Sequence, residues 1–345
     1  MERKFVPILK DPAGQGDLII FEFELSSENI IDGLLINPLN SNAFPVMNGV
    51  PVMLPSSFTS QFLSRHKEKI EQVGKLYPGV KFEVSEAKSW SFSHEWEAHS
   101  KEDMETTWGW TIEQRFAQAL METGMSEQEI AGKTILDAGC GNGMLTHYFG
   151  EMGMISFGID YSDSVFDAEK RRTSENVCFI KGDLLHPPFG NESFDLVVSN
   201  GVIHHMPSTE MTFYSIASLV RPLGKCYIWL YSRKGNLPWR LKRRFFDLSR
   251  MVVSRLPMGV QKQIVSLFTF ILSGLKRTGD KNSLRINMYD SLTPRWRHYH
   301  TPEEISRWYF KAGFGPVTLT HWDNRYGFGV VATKTHLTKT PGEHW

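Results

Sequence analysis

The chain has 345 residues, with 38 basic and 38 acidic side chains, no formal net charge, 41% hydrophobic residues and 22% charged residues. This is the balance of a globular chain long enough for two domains or one decorated domain, and it argues against a uniformly basic nucleic-acid binder. Cys140, Cys178 and Cys226 all fall on or beside predicted core strands, which excludes a disulfide framework or a zinc cluster built from them.

Residues 1–57 alternate short apolar runs with turns, at 18–25, 33–36 and 44–54, and read as a small β unit. The first fourteen residues hold only a short apolar stretch before Lys10-Asp11-Pro12, unlike a signal peptide. Residues 58–130 read as helical and mostly acidic, with aromatics between Phe92 and Trp110 and an amphipathic helix over 111–121.

The most informative stretch is 134–146, Thr-Ile-Leu-Asp-Ala-Gly-Cys-Gly-Asn-Gly-Met-Leu-Thr. Ile135 and Leu136 end a buried strand, Asp137 stands at its carboxyl end, and Gly139, Gly141 and Gly143 permit a tight turn into a helix beginning near Gly143. The pattern D-x-G-x-G-x-G is not the G-x-G-x-x-G of nicotinamide and flavin folds, and the absence of a following Lys-Ser or Lys-Thr rules out a P-loop. Further strands follow at 154–160, ending on Asp160, at 177–183, ending on Asp183, at 194–200, ending on Asn200, and at 224–231. Helix-like segments separate them, which predicts a parallel α/β sheet with its ligand crevice at the carboxyl ends of the strands. Asp160 lies where such folds place a carboxylate for two ribose hydroxyls.

Residues 231–300 hold fifteen Lys and Arg against three Asp, a local charge of +12 that the other 275 residues balance with −12. The spacing predicts a basic amphipathic helix from Leu237 to about Arg255, a break at Pro257 and Gly259, and a more apolar helix over about 260–275. Basic residues beside Trp239, Phe245 and Phe246 suit phosphate groups, an anionic membrane surface or a nucleic-acid backbone; the bland alternative is packing on the acidic 83–129 region or on a second subunit.

The motifs LDAGCGNG (136–143), GIDYS (158–162), GD (182–183), FDLVVSNGVIHHM (194–206) and RPLGK (221–225), with Ala312-Gly-Phe314 and paired strands near 317–322 and 327–333, resemble class I S-adenosylmethionine-dependent methyltransferases of the type 11 group. The resemblance covers about 40% of the chain, residues 130–232 and 301–335. It implies a Rossmann-like, seven-stranded α/β sheet over 131–232 and 301–335, preceded by the β unit (1–57) and a helical linker or lid (58–130). A basic helical insert (233–300) would cap the acceptor. The order of turns in 33–54 resembles a small zinc-ribbon-like domain fused to some bacterial methyltransferases and related to an activator subunit of tRNA methyltransferases. Asn37 and Asn40 stand in its knuckle region and no cysteine is present there, so this resemblance implies a metal-free remnant.

The resemblance assigns S-adenosyl-L-methionine as cofactor. Gly139, Gly141, Asn142 and Gly143 would line its methionine and ribose portion, and Asp137 would help hold the amino group. Asp160, beside Tyr161, would take the ribose hydroxyls, Asp183 and Leu184 would face the adenine, and Asn200 with Gly201 would border the sulfonium. Trp96 or Trp110 would fold over the cofactor as a lid. His205 or His204, at the rim where acceptors enter, or His300 could take a proton from the acceptor. The expected activity is methyl transfer to a hydroxyl, or an amine, of a small-molecule, lipid-linked or glycan acceptor. The alternatives are an RNA-directed methyltransferase and a non-catalytic cofactor-binding partner subunit. No run reaches the roughly 18 apolar residues of a membrane span, so a cytoplasmic location is expected, with peripheral membrane contact through 237–275 compatible with it.

Overall fold

A computed structural model describes residues 1–13, 16–84, 106–107, 110–275, 281–322 and 326–335. Trp96 lies outside the described residues, and of Trp110 only the backbone, in a short strand, is described.

After a short 3-10 helix (Arg3–Ile8) comes a four-stranded antiparallel meander: β1 (Ile19–Ser26), β2 (Asn29–Ile36), β3 (Ala43–Met47) and β4 (Val50–Met53). Two helices follow, α1 (Ser60–Arg65) and α2 (Lys67–Leu76), and lay Phe62, Ile70 and Val73 against Phe23, Leu34 and Ile36. A two-residue hairpin, β5 (Thr106–Thr107) and β6 (Trp110–Thr111), then leads into α3 (Ile112–Thr123) and α4 (Glu127–Ile130). Thr111 and Gln114 form a reciprocal capping box at the start of α3, and Gly124 closes it in the left-handed conformation.

The parallel strands are β7 (Thr134–Ala138), β8 (Ile155–Asp160), β9 (Val177–Gly182) and β10 (Phe194–Asn200), separated by α5 (Met144–Glu151) and α6 (Ser164–Lys170) between the first three. After α7 (Thr209–Ser218) comes the long β11 (Val220–Tyr231), parallel to β10. Three insert helices follow: α8 (Leu237–Val253), α9 (Met258–Leu275) and α10 (Lys281–Leu292). Then α11 (Pro302–Lys311) returns the chain to the antiparallel pair β12 (Thr318–Trp322) and β13 (Gly327–Thr333).

The expected seven strands lie in the spatial order β9-β8-β7-β10-β11-β13-β12. The sheet, however, has eleven strands rather than seven. Strand β4 pairs in parallel with β9, Val52 opposite Lys181 and Met53 opposite Gly182, so the N-terminal meander continues the main sheet. Helices over both faces of the central strands explain their unbroken apolar runs. Leu136, Ala138 and Val197 face one core, with Phe157, Phe189 and Phe194 packed edge to face; Ile135, Leu196 and Val198 face the other, with Phe116 and Phe149. The chain leaves β7 for β8 on one side and returns to β10 on the other, so a crevice opens at the carboxyl end of β7.

The insert has its own small core of Val253, Val265, Met288, Tyr289 and Leu292. Its third helix, α10, has only a weak apolar period and is absent from the sequence expectation. Among the described residues no helix is long and apolar enough to cross a membrane.

In the meander, Asn37 and Asn40 belong to an amide cluster around the fully buried Asp11. Asp11 Oδ2 accepts from the side-chain amides of Asn37 (2.9 Å), Asn40 (2.7 Å) and Asn42 (3.0 Å), while Oδ1 accepts from the Ala13 N–H (2.9 Å). Burial alone would raise this carboxyl; the four donors outweigh it and hold it below the ordinary carboxylate range.

Candidate active site

The crevice is built around the turn after β7. Gly139 and Cys140 donate their N–H groups to the Ile159 carbonyl (2.8 and 3.1 Å), which ties the turn to the end of β8. Gly139, Gly141 and Gly143 all adopt positive φ, at 91°, 55° and 75°. A Cβ on Gly139 would lie 2.4 Å from Val202, and one on Gly143 would lie 2.5 Å from Phe179, so the turn is packed from beneath as well as bent. Helix α5 starts directly after Gly143, with the Asn142 side chain accepting from the Met144 N–H at 3.3 Å.

Asp160 holds this turn to the next one. Its Oδ2 accepts from Gly141 N (2.9 Å) and its Oδ1 from Ser162 N (2.8 Å), and it stays half-buried, with lone pairs left for a ligand. Ser164 Oγ donates to the Gly141 carbonyl at 2.7 Å, a second tie across the same gap. Tyr161 is exposed beside it.

Asp137 is buried below the turn and accepts from Thr146 Oγ1 at 2.7 Å. Burial, with Asp160 as a like charge nearby, pushes its carboxyl up to about 6, while Thr146 and Arg115 pull the other way. Arg115, on α3, is a charge partner that sequence reasoning missed; burial lowers it, and Asp137 and Glu122 oppose that shift.

Asp183 is half-buried after β9 and caps the Leu185 N–H at 2.9 Å, while Leu184 is buried in the core. Asn200 is exposed at the end of β10, and Gly201 follows with φ 79°. Each residue assigned to the cofactor thus lies in the turn or at the carboxyl end of β7, β8, β9 or β10, or directly after it. The donor set offers carboxylates, two carboxamides and glycine backbone, which fits a ligand carrying hydroxyls and positive charge.

The three histidines have different surroundings. His204 is fully buried, with neither ring nitrogen hydrogen-bonded among the described residues; its ring lies 4.1 Å from that of Tyr231 and 4.3 Å from that of His205. Burial, reinforced by His205, lowers its imidazole well below the usual range and keeps it neutral. His205 places Nδ1 3.1 Å from the Trp296 carbonyl and Nε2 3.2 Å from Asp290 Oδ1. His300 sits among other partners, Nε2 3.1 Å from Thr209 Oγ1 and Nδ1 3.3 Å from Glu304 Oε1, and burial lowers it too.

Asp290, from α10 of the insert, is the residue beside these histidines most clearly missed in the sequence. Its Oδ2 accepts from Tyr231 Oη (2.7 Å) and faces Arg297 (3.5 Å), whose guanidinium lies 4.3 Å from the Tyr231 ring centre. Burial would raise this carboxyl; Arg297 and His205 overcome burial and hold it far below the ordinary range. The one usable sequence signal was Asp290 as one of three acids in a segment carrying fifteen bases. The return of the insert is stitched to the rim: His298 N donates to the His204 carbonyl (2.9 Å), and His298 Nε2 lies 3.1 Å from the Met206 carbonyl.

Among the described residues, the donors close enough together for a metal ion are those of Glu24 and Asp32 in the N-terminal meander and His66 between α1 and α2, not in the crevice. Asp32 already pairs with His66 (2.7 Å), Arg65 (3.2 Å) and the Asn48 N–H (2.9 Å).

Residues 136–228 match a family model described as a methyltransferase domain. A ubiquinone biosynthesis O-methyltransferase of Coxiella burnetii is 29% identical over 112 residues, 31% of this chain and 48% of that protein. A sterol 24-C-methyltransferase of Pneumocystis carinii is 31% identical over 111 residues, 30% of this chain and 29% of that protein. The chain therefore spans about half, or less, of the length of these relatives. Among solved structures, magnesium protoporphyrin IX methyltransferase from Synechocystis PCC 6803 with bound SAH aligns at 15% identity, covering 79% of this chain and 96% of that one, with a TM-score of 0.41.

Proposed function

We propose that this protein is an S-adenosylmethionine-dependent methyltransferase acting on a hydroxyl, or an amine, of a small-molecule or lipid-linked acceptor. The observation that carries the reading is the glycine turn at the carboxyl end of β7, held by Asp160 through Gly141 within a stretch that matches a methyltransferase domain. When bound, the cofactor supplies an electrophilic methyl group on a sulfonium. The chain's own part is then alignment and exclusion of water.

In this reading Asp160 binds the ribose hydroxyls, with Tyr161 alongside, while Gly139, Gly141, Asn142 and Gly143 let the ligand lie against backbone. Asp137 sits below the amino group. Asp183 and Leu184 border the adenine, and Asn200 and Gly201 border the methyl group. The match to a methyltransferase domain ends at residue 228, before the insert, so it leaves the acceptor to be read from the cap. The two curated relatives carry O- and C-methyltransferase names, in line with a domain that does not itself fix the acceptor.

Among the three histidines we assign the acceptor contact to His204. Its nitrogens have no hydrogen-bond partner among the described residues, and its neutral ring can accept from a hydroxyl. His205 has both ring nitrogens engaged, Nδ1 against the Trp296 carbonyl and Nε2 against Asp290, so it positions the rim. His300, paired with Thr209 and Glu304, supports the return from the insert.

The test is calorimetric titration of wild type and Asp160→Ala with S-adenosylmethionine and S-adenosylhomocysteine. Saturable binding by the wild type, at least tenfold weaker in the variant, is expected, roughly the loss of one charge-assisted hydrogen-bonded anchor. No binding by the wild type overturns the reading.

A further inference from the structure

The basic helix α8 packs on the protein through Phe246, Arg250 and Val253. Its opposite face carries Leu237, Leu241, Phe245, Leu248 and Val252, at intervals of four, four, three and four residues, each between 54% and 66% exposed. That spacing makes one continuous apolar stripe directed away from the body. Helix α9 repeats the arrangement: Val265 is buried in the insert core, while Val260, Leu267, Phe270 and Ile271 are exposed. Ten of the 23 exposed large apolar side chains of the described structure lie on these two helices, far beyond a scatter of single surface residues.

The flanks of the α8 stripe are cationic. Arg240 and Arg244 are exposed along it, and a shallow groove of about 170 Å³ is lined by Leu237, Leu241, Arg240, Arg243 and Arg244. Leucine side chains and guanidinium groups lining one groove together match a phosphate headgroup at the top of an acyl chain. A second copy of this chain is a poor occupant, since a two-fold contact through this face would set two +12 segments against each other. An anionic surface complements the charge.

We infer that the outward faces of α8 and α9 dock this protein on an anionic bilayer surface, with the apolar stripe in the acyl boundary and the arginines at the phosphates. The helices lie in the interface rather than across it, consistent with the lack of a spanning helix among the described residues. Docking would bring the insert, and the rim it is stitched to through His298, to the membrane. The inference rests on the functional reading only for what is delivered there, a lipid-linked acceptor; the docking surface stands on its own residues.

Vesicle co-sedimentation of the full chain tests it, with phosphatidylcholine alone and with phosphatidylcholine containing phosphatidylglycerol. Expected is binding to the anionic vesicles that weakens with salt, because surface charges are screened over about 8 Å at physiological ionic strength. The double variant Leu241→Gln/Phe245→Gln should bind at least about tenfold more weakly, since interfacial affinity scales with buried apolar area. Arg240→Gln/Arg244→Gln should lose the preference for phosphatidylglycerol, and Met211→Gln, exposed on α7, should bind as wild type. These side chains are exposed, and matched melting curves confirm that each variant is folded.

Equal binding by wild type and the Leu241/Phe245 variant, or no binding by wild type to anionic vesicles at low salt, overturns the inference. So does a concentration-dependent dimer that the Leu241/Phe245 variant abolishes while vesicles leave it intact. Titration of the same variants with S-adenosylhomocysteine separates the two readings, because failed docking leaves cofactor binding unchanged and a failed methyltransferase reading leaves docking unchanged.

Discussion

Asp290 Oδ1 lies 3.2 Å from His205 Nε2 and so joins two residues 85 positions apart, one on the loop after β10 and one on the last helix of the insert. With Tyr231 and Arg297 on the other carboxylate oxygen, this contact anchors the cap to the rim of the crevice. Removing one member of such a buried charged network costs about 3–5 kcal/mol, because the remaining charges lose their partner.

Asp290→Asn should therefore lower the melting temperature by several degrees near neutral pH. Since the folded carboxyl is held below its unfolded range, its contribution is present above the unfolded pKa of about 4 and is lost as pH falls through the folded value. The gap between wild type and variant should be widest near pH 7 and should begin to narrow below about pH 4. A gap that does not change with pH would show that the carboxylate charge is not what holds the cap.

Asp137 titrates in the opposite sense. Its folded carboxyl is raised to about 6 by burial, so the folded chain keeps a proton that the unfolded chain has already released. Stability should fall as pH rises from about 4 to about 6 and then level off, by about 2–3 kcal/mol in total. Asp137→Asn should remove that slope and be the more stable protein at pH 7. A cationic ligand beside Asp137 favours the carboxylate, so S-adenosylmethionine affinity should strengthen through pH 6 with release of up to one proton. Calorimetry in two buffers of different ionisation enthalpy measures that proton directly; no uptake by the buffer would place the ligand's charge elsewhere.

The glycine turn and the carboxylates around it were legible because their determinants are local. Asp137, Gly139, Gly141, Gly143 and Asp160 lie within 24 residues, and strand, turn and helix rules fix their relation. The pairing of Asp290 with His205 was not legible, because it depends on how an insert of weak amphipathic pattern folds back over the sheet. The expectation of seven strands failed for a similar reason. Residues 44–54 read correctly as β structure, but nothing in their alternation says that Val52 will pair with Lys181 and extend the main sheet. Asn37 and Asn40 stand out in the sequence only through a resemblance, whereas their partner Asp11, at least 26 residues earlier, has no periodic signal to mark it.

Gly139 and Gly153 separate backbone strain from packing. Their φ angles are nearly the same, 91° and 88°, but a Cβ on Gly139 would meet Val202 at 2.4 Å while one on Gly153 meets nothing within 4 Å. Gly153→Ala should cost about 1 kcal/mol, the penalty of a left-handed L-residue. Gly139→Ala should cost roughly 1–3 kcal/mol more through overpacking and should weaken cofactor binding as the turn shifts. Adding Val202→Ala should recover part of that excess, and denaturant melts of the single and double variants give the coupling. Equal costs at the two glycines would mean that Val202 yields freely.

Asp11 tests what holds the N-terminal meander together. A carboxylate can only accept, so the amides of Asn37, Asn40 and Asn42 must all point their NH2 groups at Oδ2, and none can be replaced by its flipped form without loss. Asp11→Ala strands three carboxamides, one of them on the buried Asn37, and should cost about 2–4 kcal/mol. The wild-type carboxyl is depressed, so its contribution is present above the unfolded pKa near 4 and disappears as pH falls through the folded value. Chelators should leave the melting curve unchanged if amides and carboxylate do the work of a knuckle. Because β4 joins β9 through only two paired residues, the damage should fall first on the meander. Hydrogen exchange should then show residues 19–53 losing protection in Asp11→Ala while β7, β8 and β10 keep theirs. Loss spread evenly across all eleven strands would instead mean that the meander and the parallel sheet open as one unit.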